Sequence, residues 1–243
     1  MKRSSTICVF IGMVLVIAGS IANQASAATV VASNDADIRG TAAGTNGSDL
    51  SVGDWAGSPA SLDRNAVISF DLSTYTSDPN FVEFTSVLLR LGVPVSGNPG
   101  SALNHEVRRL LRDFDEATVD YAEYSPGNAW DAPGGLGAND ATSIATGVNS
   151  GSTTPGTAWA GGGLDVTAAA NAWTTAADTT ELGFLIRPED KFLILAYGSA
   201  ESTNGPGPGP VLEFELIPEP GTAALLGLGG IVLALCRRRV AKG

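Results

Sequence analysis

The stretch SVLLRLGV, residues 86–93, sets Val87, Leu89, Leu91 and Val93 at alternate positions. A period of two brings all four to one face of an extended strand, the pattern of a strand with one buried side. The same alternation recurs along the chain. In VLEFEL, residues 211–216, Leu212, Phe214 and Leu216 face one way, and Glu213 and Glu215 the other. NAVISFDL groups Ala66, Ile68 and Phe70, and ELGFLIR groups Leu182, Phe184 and Ile186. KFLILAY, residues 191–197, is apolar on both faces and suits an inner strand. Turns rich in glycine and proline, such as SGNPGS and NGPGPGP, separate these strands. One helix is expected in DVTAAANAWTT, with Thr167 as its N-cap and an alanine-rich first turn. The segment 132–155 is poor in large apolar residues and reads as a long loop. Many short strands and one short helix predict an all-β fold, a two-sheet, jelly-roll-like β-sandwich.

Outside that body the chain changes character. Residues 1–27 open with Lys2 and Arg3, run apolar through ICVFIGMVLVIAG and end in ANQASA. These are the three parts of a secretory signal peptide, with Ala25 and Ala27 at the A-x-A positions and cleavage expected after Ala27. Residues 28–217 then form the exported domain, and residues 218–243 a separate tail. Setting aside Lys2, Arg3, Arg237, Arg238, Arg239, Lys242 and Glu219 leaves 8 basic against 24 acidic residues, a net charge of −16. Such a surface repels nucleic acid and anionic lipid, so no nucleic-acid partner is expected. Cys8 and Cys236 both fall in the end segments, so the domain has no disulfide and no thiolate site.

The tail reads IPEPGTAALLGLGGIVLALCRRR, residues 217–239. Pro218-Glu219-Pro220 opens it, an uncharged apolar run follows, and Arg237, Arg238 and Arg239 close it. About 16 apolar residues make a helix of about 24 Å, slightly short of a bilayer core of about 30 Å. Arginines that snorkel to the interface cover the difference, and the positive-inside rule puts them in the cytoplasm. A single transmembrane helix is therefore expected, with the tripeptide on the exported side. The prolines hold that tripeptide extended and accessible. The arrangement resembles the PEP-CTERM sorting signal of bacterial exported proteins. The resemblance implies an exosortase as partner, after signal peptidase, and delivery to the cell surface or an extracellular polysaccharide layer.

The body resembles a second family. DADIRG, AVISFDLS, TSVLLRLGV, VRRLLRDFDEATVDYAEYSPGNAW, GGLDVTAAANAW and AYGSAEST with GPVLEFEL stand in the order of a DNRLRE-type domain, related to carbohydrate-binding modules of β-sandwich fold. Asp35 falls at the family's acidic position and Glu116 fits its aromatic-x-glutamate motif. Phe114 and Tyr121 stand where the family has tryptophan, and Asp37 where an aromatic is common. The resemblance implies a polysaccharide-associated, non-catalytic module.

Aromatic rings stack on the apolar C–H faces of sugars, which makes Tyr121, Tyr124, Trp130, Trp159 and Trp55 the ligand-binding candidates, with packing at the ends of the sandwich as the alternative role. Trp173, on the helix, is expected in the core. Calcium takes six to eight oxygen ligands, and Asp35 and Asp37 are candidate ligands for a structural ion, beside Asp49 and Asp54. Asp71 and Asp165 suit backbone amides at a strand end and a helix start. No other cofactor is expected. His105 is the only histidine, and no nucleophile elbow accompanies it. The alternatives to a glycan-associated module are a purely structural or adhesive one and a carbohydrate-active enzyme that uses two carboxylates.

Overall fold

The computed structural model describes residues 26–40, 42–45, 49–53, 64–79, 81–92, 103–142, 147–151, 163–176, 178–188, 194–201 and 209–218. Its strands are β1 (Ser26–Val31), β2 (Asn34–Arg39), β3 (Ala42–Thr45), β4 (Asp49–Gly53) and β5 (Arg64–Phe70), followed by the one-turn helix α1 (Ser73–Thr76). Then come β6 (Phe81–Arg90), β7 (Leu103–Arg109), β8 (Glu123–Ser125), β9 (Asn128–Ala129), β10 (Gly147–Gly151) and β11 (Leu164–Asp165). The helix α2 (Thr167–Ala176) precedes β12 (Leu182–Pro188), β13 (Ile194–Gly198) and β14 (Val211–Pro218). The described residues make an all-β fold with two short helices. One antiparallel sheet has the order β1-β14-β6-β11, a second runs β10-β7-β12-β5-β2-β3, with β4 joining β5 and carrying β13, and β8 and β9 form a two-stranded sheet of their own.

The alternating residues decide where the core lies. Val87, Leu89, Leu212 and Phe214 from the first sheet meet Ala66, Ile68, Phe70, Val107, Leu182, Phe184 and Ile186 from the second in one buried cluster. Each such side chain contributes about 1.5–3 kcal/mol by leaving water. Edge-to-face rings lock the centre, with Phe84 and Phe214 at 5.4 Å and Tyr75 and Phe214 at 4.8 Å between centroids. Leu91 belongs to the same cluster, whereas Val93 lies outside the described residues.

The helix α2 closes an otherwise open edge. Its first amide, Thr167 N, and the Thr167 hydroxyl both donate to Asp165 Oδ1. Asp165 thus does the capping, and Thr167 is the first helical residue rather than the N-cap, because its own oxygen accepts from Val87 N at 2.9 Å. One turn on, Asn171 accepts from Phe84 N and donates to Phe84 O, both at 2.9 Å. The helix therefore satisfies backbone groups of β6 beyond the short β11, and the edge is covered. Trp173 is buried and donates to Thr179 O. Asp71 takes Ser73 N at 2.8 Å, which starts α1.

Three local expectations change. Among the described residues of the run 191–197, β13 pairs with β4 alone, at the far side of that strand from β5, rather than between two strands, and residues 191–193 lie outside the described residues. The segment 132–155 is not a featureless loop, since β10 within it pairs with β7 and residues 131–140 form a chain of turns. Nor are β5 and β12 half-buried, because their outward residues Val67 and Leu185 join Ala36, Ile38, Leu110, Val119, Trp130 and Ala141 in a second buried cluster. Residues 110–142 form the cover that makes this second layer.

Asp140 pins the cover. It is fully buried and accepts from Asp131 N, Ala132 N and Gly137 N at 2.9–3.0 Å, and from Arg112 Nε at 3.1 Å. Asn65, on β5 beneath, donates to Gly134 O at 3.0 Å. Gly134 has φ +81, and a Cβ there would meet Tyr121 Cε2 at 2.8 Å, so both backbone and space require glycine.

Among the described residues no helix is long and apolar enough to cross a membrane. The apolar run of the tail and residues 1–25 lie outside the described residues. The strand β1 begins before the expected cleavage point, with Ser26 opposite Leu216 and Ala27 opposite Glu215. At the other end Pro218, the first residue of the Pro-Glu-Pro tripeptide, is the last rung of β14, opposite Phe81.

Candidate functional site

The outward face of the second sheet is ruled in rows. Ala36, Val67 and Leu185 form one row across β2, β5 and β12, and the cover packs on it. The next row toward the sheet end is Asn34, Ser69 and Gly183. Two polar side chains and one missing side chain stop the apolar packing there. What results is a cleft of about 210 Å³, lined by that row and by Arg112, Asp113, Phe114, Thr180 and Glu181.

Its walls are tied down. Glu181 Oε2 accepts from Ser69 Oγ at 2.5 Å, Ser33 Oγ at 2.8 Å and Asn34 Nδ2 at 2.9 Å. Asp113 accepts from Thr180 N and Thr180 Oγ1, both on Oδ2 at 2.9 Å. The Arg112 guanidinium donates to Asn139 O and Asp140 Oδ1 at 3.1 Å and lies 5.1 Å over the Tyr124 ring. Each group is held before any ligand arrives.

Beside the cleft three carboxylates converge. Asp35 from β2, Glu116 from the cover and Glu201 from the turn after β13 bring one oxygen each within 4.8 Å of one another. Asp35 is 1% exposed and accepts from Ala200 N at 2.6 Å, while its own backbone N–H donates to Glu116 Oε1 at 3.1 Å. Burial pushes the Asp35 carboxyl up to about 7; the Ala200 amide opposes this, and the charges of Glu201 and Glu116 add to it. Burial also raises Glu116, the Asp35 amide opposes, and the charges of Glu201, Asp115 and Glu181 reinforce the rise. Glu181 links the trio electrostatically to the cleft. Three such groups can share a proton or compensate a cation.

The residues singled out in the sequence are dispersed. Asp37 is buried but takes an ion pair from Arg39 at 2.6 Å, and it is not among the carboxylates that meet at Asp35. The Asp49 side chain and Asp54 lie outside the described residues, as do Trp55 and Trp159. Trp130 is 5% exposed, packs in the second cluster and donates to Asp120 O at 2.9 Å, so its ring offers no open face. Tyr124 is half-buried, tilted against Trp130 at 5.4 Å, and accepts from Arg112 Nη1. Tyr121 is half-buried against Gly134. The cleft residues Asn34, Ser69, Arg112, Asp113, Thr180 and Glu181 and the trio member Glu201 were not anticipated. A glycine at 183 and a serine at 69 in otherwise apolar strands were the available signal.

Residues 216–239 match the PEP-CTERM protein-sorting motif. The match begins inside β14 and takes in the tripeptide and the arginine cluster. It implies an exported, surface-directed protein that an exosortase processes. A comparison with curated proteins gives no match.

Proposed function

We propose that this chain is a non-catalytic surface or extracellular-matrix protein, sorted through its C-terminal signal, whose body associates with polysaccharide. The observation that carries the reading is the sorting motif at residues 216–239, which begins inside the last strand, two residues before it ends. In this reading signal peptidase removes residues 1–27, the apolar run of the tail holds the protein in the membrane for a time, and the exosortase acts at Pro218-Glu219-Pro220. The two sheets around one core support a jelly-roll-like sandwich of the DNRLRE type. Against catalysis stands His105, which is 1% exposed and 2.6 Å through Nδ1 from Tyr197 Oη. A structural calcium at Asp35 remains part of the proposal, with Glu116 and Glu201 as its companions in place of Asp37.

The burial of Trp130 favours a second reading, an adhesive or structural module without a sugar site. The deciding experiment is mass spectrometry of the protein recovered from the cell surface, with and without the exosortase. Loss of the sequence after the tripeptide, dependent on the enzyme, is the expected result. A surface protein that keeps its whole tail overturns the sorting reading.

A further inference from the structure

We propose that the cleft floored by Asn34, Ser69 and Gly183 takes one uncharged sugar unit of a polysaccharide through its hydroxyl groups; this rests on the polysaccharide association proposed above. The cleft has many times the room that one water needs. Its floor is flat because Gly183 puts no side chain beside Ser69, and a Cβ there would press on Leu110 at 3.1 Å.

The lining matches hydroxyl groups. Glu181 is held through one oxygen by three donors, which leaves the lone pairs of the other oxygen for a ligand. Asp113 is fixed through both oxygens, Oδ2 by Thr180 N and Oγ1 and Oδ1 by Thr180 N, so it braces the wall beside Glu181. Arg112, held through Nε and Nη1 by Asn139, Asp140 and Tyr124, brings the remaining N–H groups of its guanidinium, and Phe114 brings an apolar surface for sugar C–H groups. A vicinal pair of hydroxyls, each both donor and acceptor, can meet an acid and a guanidinium together. The groups are rigid before binding, so little ordering entropy is lost.

Charge narrows the class. Two carboxylates against one guanidinium line the cleft, and Glu116 lies close enough to feel Glu181. A uronate or sulfated sugar would bring its anion against them, in a body of net charge −16. An uncharged hexose meets no such penalty. A protein partner is a poor fit, since a standard interface covers about 800 Å² per side. Among the described residues the exposed large apolar side chains are Val31, Val82 and Leu136, and none lines the cleft.

The test uses the full-length protein in non-ionic detergent, run by affinity electrophoresis through gels that contain a soluble glucan, a mannan, a galactan or a polyuronate. Retardation by at least one neutral glycan and none by the polyuronate is expected. Glu181→Gln and Asn34→Ala should each weaken the retained interaction about tenfold, the loss of one good hydrogen bond to a charged or amide group. Hydrogen exchange on the unaltered protein with that glycan gives a readout that needs no variant, with protection expected at residues 112–114 and 180–183. Unchanged affinity in both variants, protection at residues 121–130 instead, or a preference for polyuronate overturns the cleft and leaves polysaccharide association standing. Failure of every glycan to bind removes that association, and the cleft with it.

Discussion

Ser26 lies opposite Leu216 in the ladder between β1 and β14. The strands are antiparallel, so the chain enters β1 and leaves β14 at the same end of one sheet. The segments that precede β1 and follow β14 thus attach at one end of the same sheet.

Cleavage after Ala27 would remove the partner of Leu216 and of Glu215. A chain that starts at Ala28 should be less stable than one that starts at Ser26 by about 1–2 kcal/mol, the worth of one or two exposed ladder bonds. A shift of the urea midpoint at constant m-value checks this. Equal midpoints would mean that the first two rungs contribute nothing.

Asp140→Ala should cost about 3–5 kcal/mol. The substitution leaves the amides of Asp131, Ala132 and Gly137 without their acceptor, each at about 1–3 kcal/mol when buried, and it removes the ion-pair partner of Arg112. The loss should fall on the cover first. Hydrogen exchange faster at residues 110–142 than in β6 and β14 is the measurement that tests it.

Trp130→Ala should destabilise by about 3–5 kcal/mol through the cavity it opens between Tyr124 and the sheet. Its effect on any glycan affinity should follow the fraction folded and vanish where the variant is fully folded. A drop in affinity at full folding would restore Trp130 as a contact residue.

Stability should fall as pH rises past Asp35. Its folded-state pKa, about 7, lies above the ordinary value of 3.8, so between these the folded protein holds a proton that the unfolded chain has released. The contribution is complete below about pH 4 and is lost as pH climbs through 7, at a cost on the order of 2–4 kcal/mol. Glu116 shifts in the same direction. Thermal melts of the unaltered protein and of Asp35→Asn, from pH 4 to pH 8, should agree at low pH, separate progressively between pH 4 and 7 and stay apart above 7, with the variant the more stable there.

A calcium ion at the carboxylate trio would act only once Asp35 has ionised. Added calcium should raise the melting temperature at pH 8, have little effect at pH 5, and do nothing to Asp35→Asn. A chelator should reverse the gain. Equal shifts at both pH values would assign the effect to other acids of the surface.

Much of the fold was legible because one physical signal carries it. Alternation at Val87, Leu89, Leu212, Phe214, Ile68 and Phe184 named the core between the sheets, and Asp165 and Asp71 were read correctly as partners of backbone amides. The second layer was harder to see. Val67 and Leu185 stand between core residues in nearly continuous apolar runs, the mark of strands covered twice, yet the cover itself is polar in sequence and is held by Asp140 and Asn65 through backbone groups. Glu116 was named by resemblance, but nothing in a linear sequence joins it to Glu201, which arrives from a turn 85 positions later. The cleft left only a faint trace for a similar reason, since three separate strands each give it one small or polar residue at the same level.

The place of β14 between β1 and β6 gives the body two mechanical responses. A load that draws the two ends of the chain apart acts on neighbouring rungs of one edge ladder, and it can peel β1 away a rung at a time. A load on the tail alone, against a body held elsewhere, runs along β14 and strains both of its ladders together. Removing the N-terminal segment takes away the handle for peeling and leaves the tail pulling in the direction that the sheet resists best.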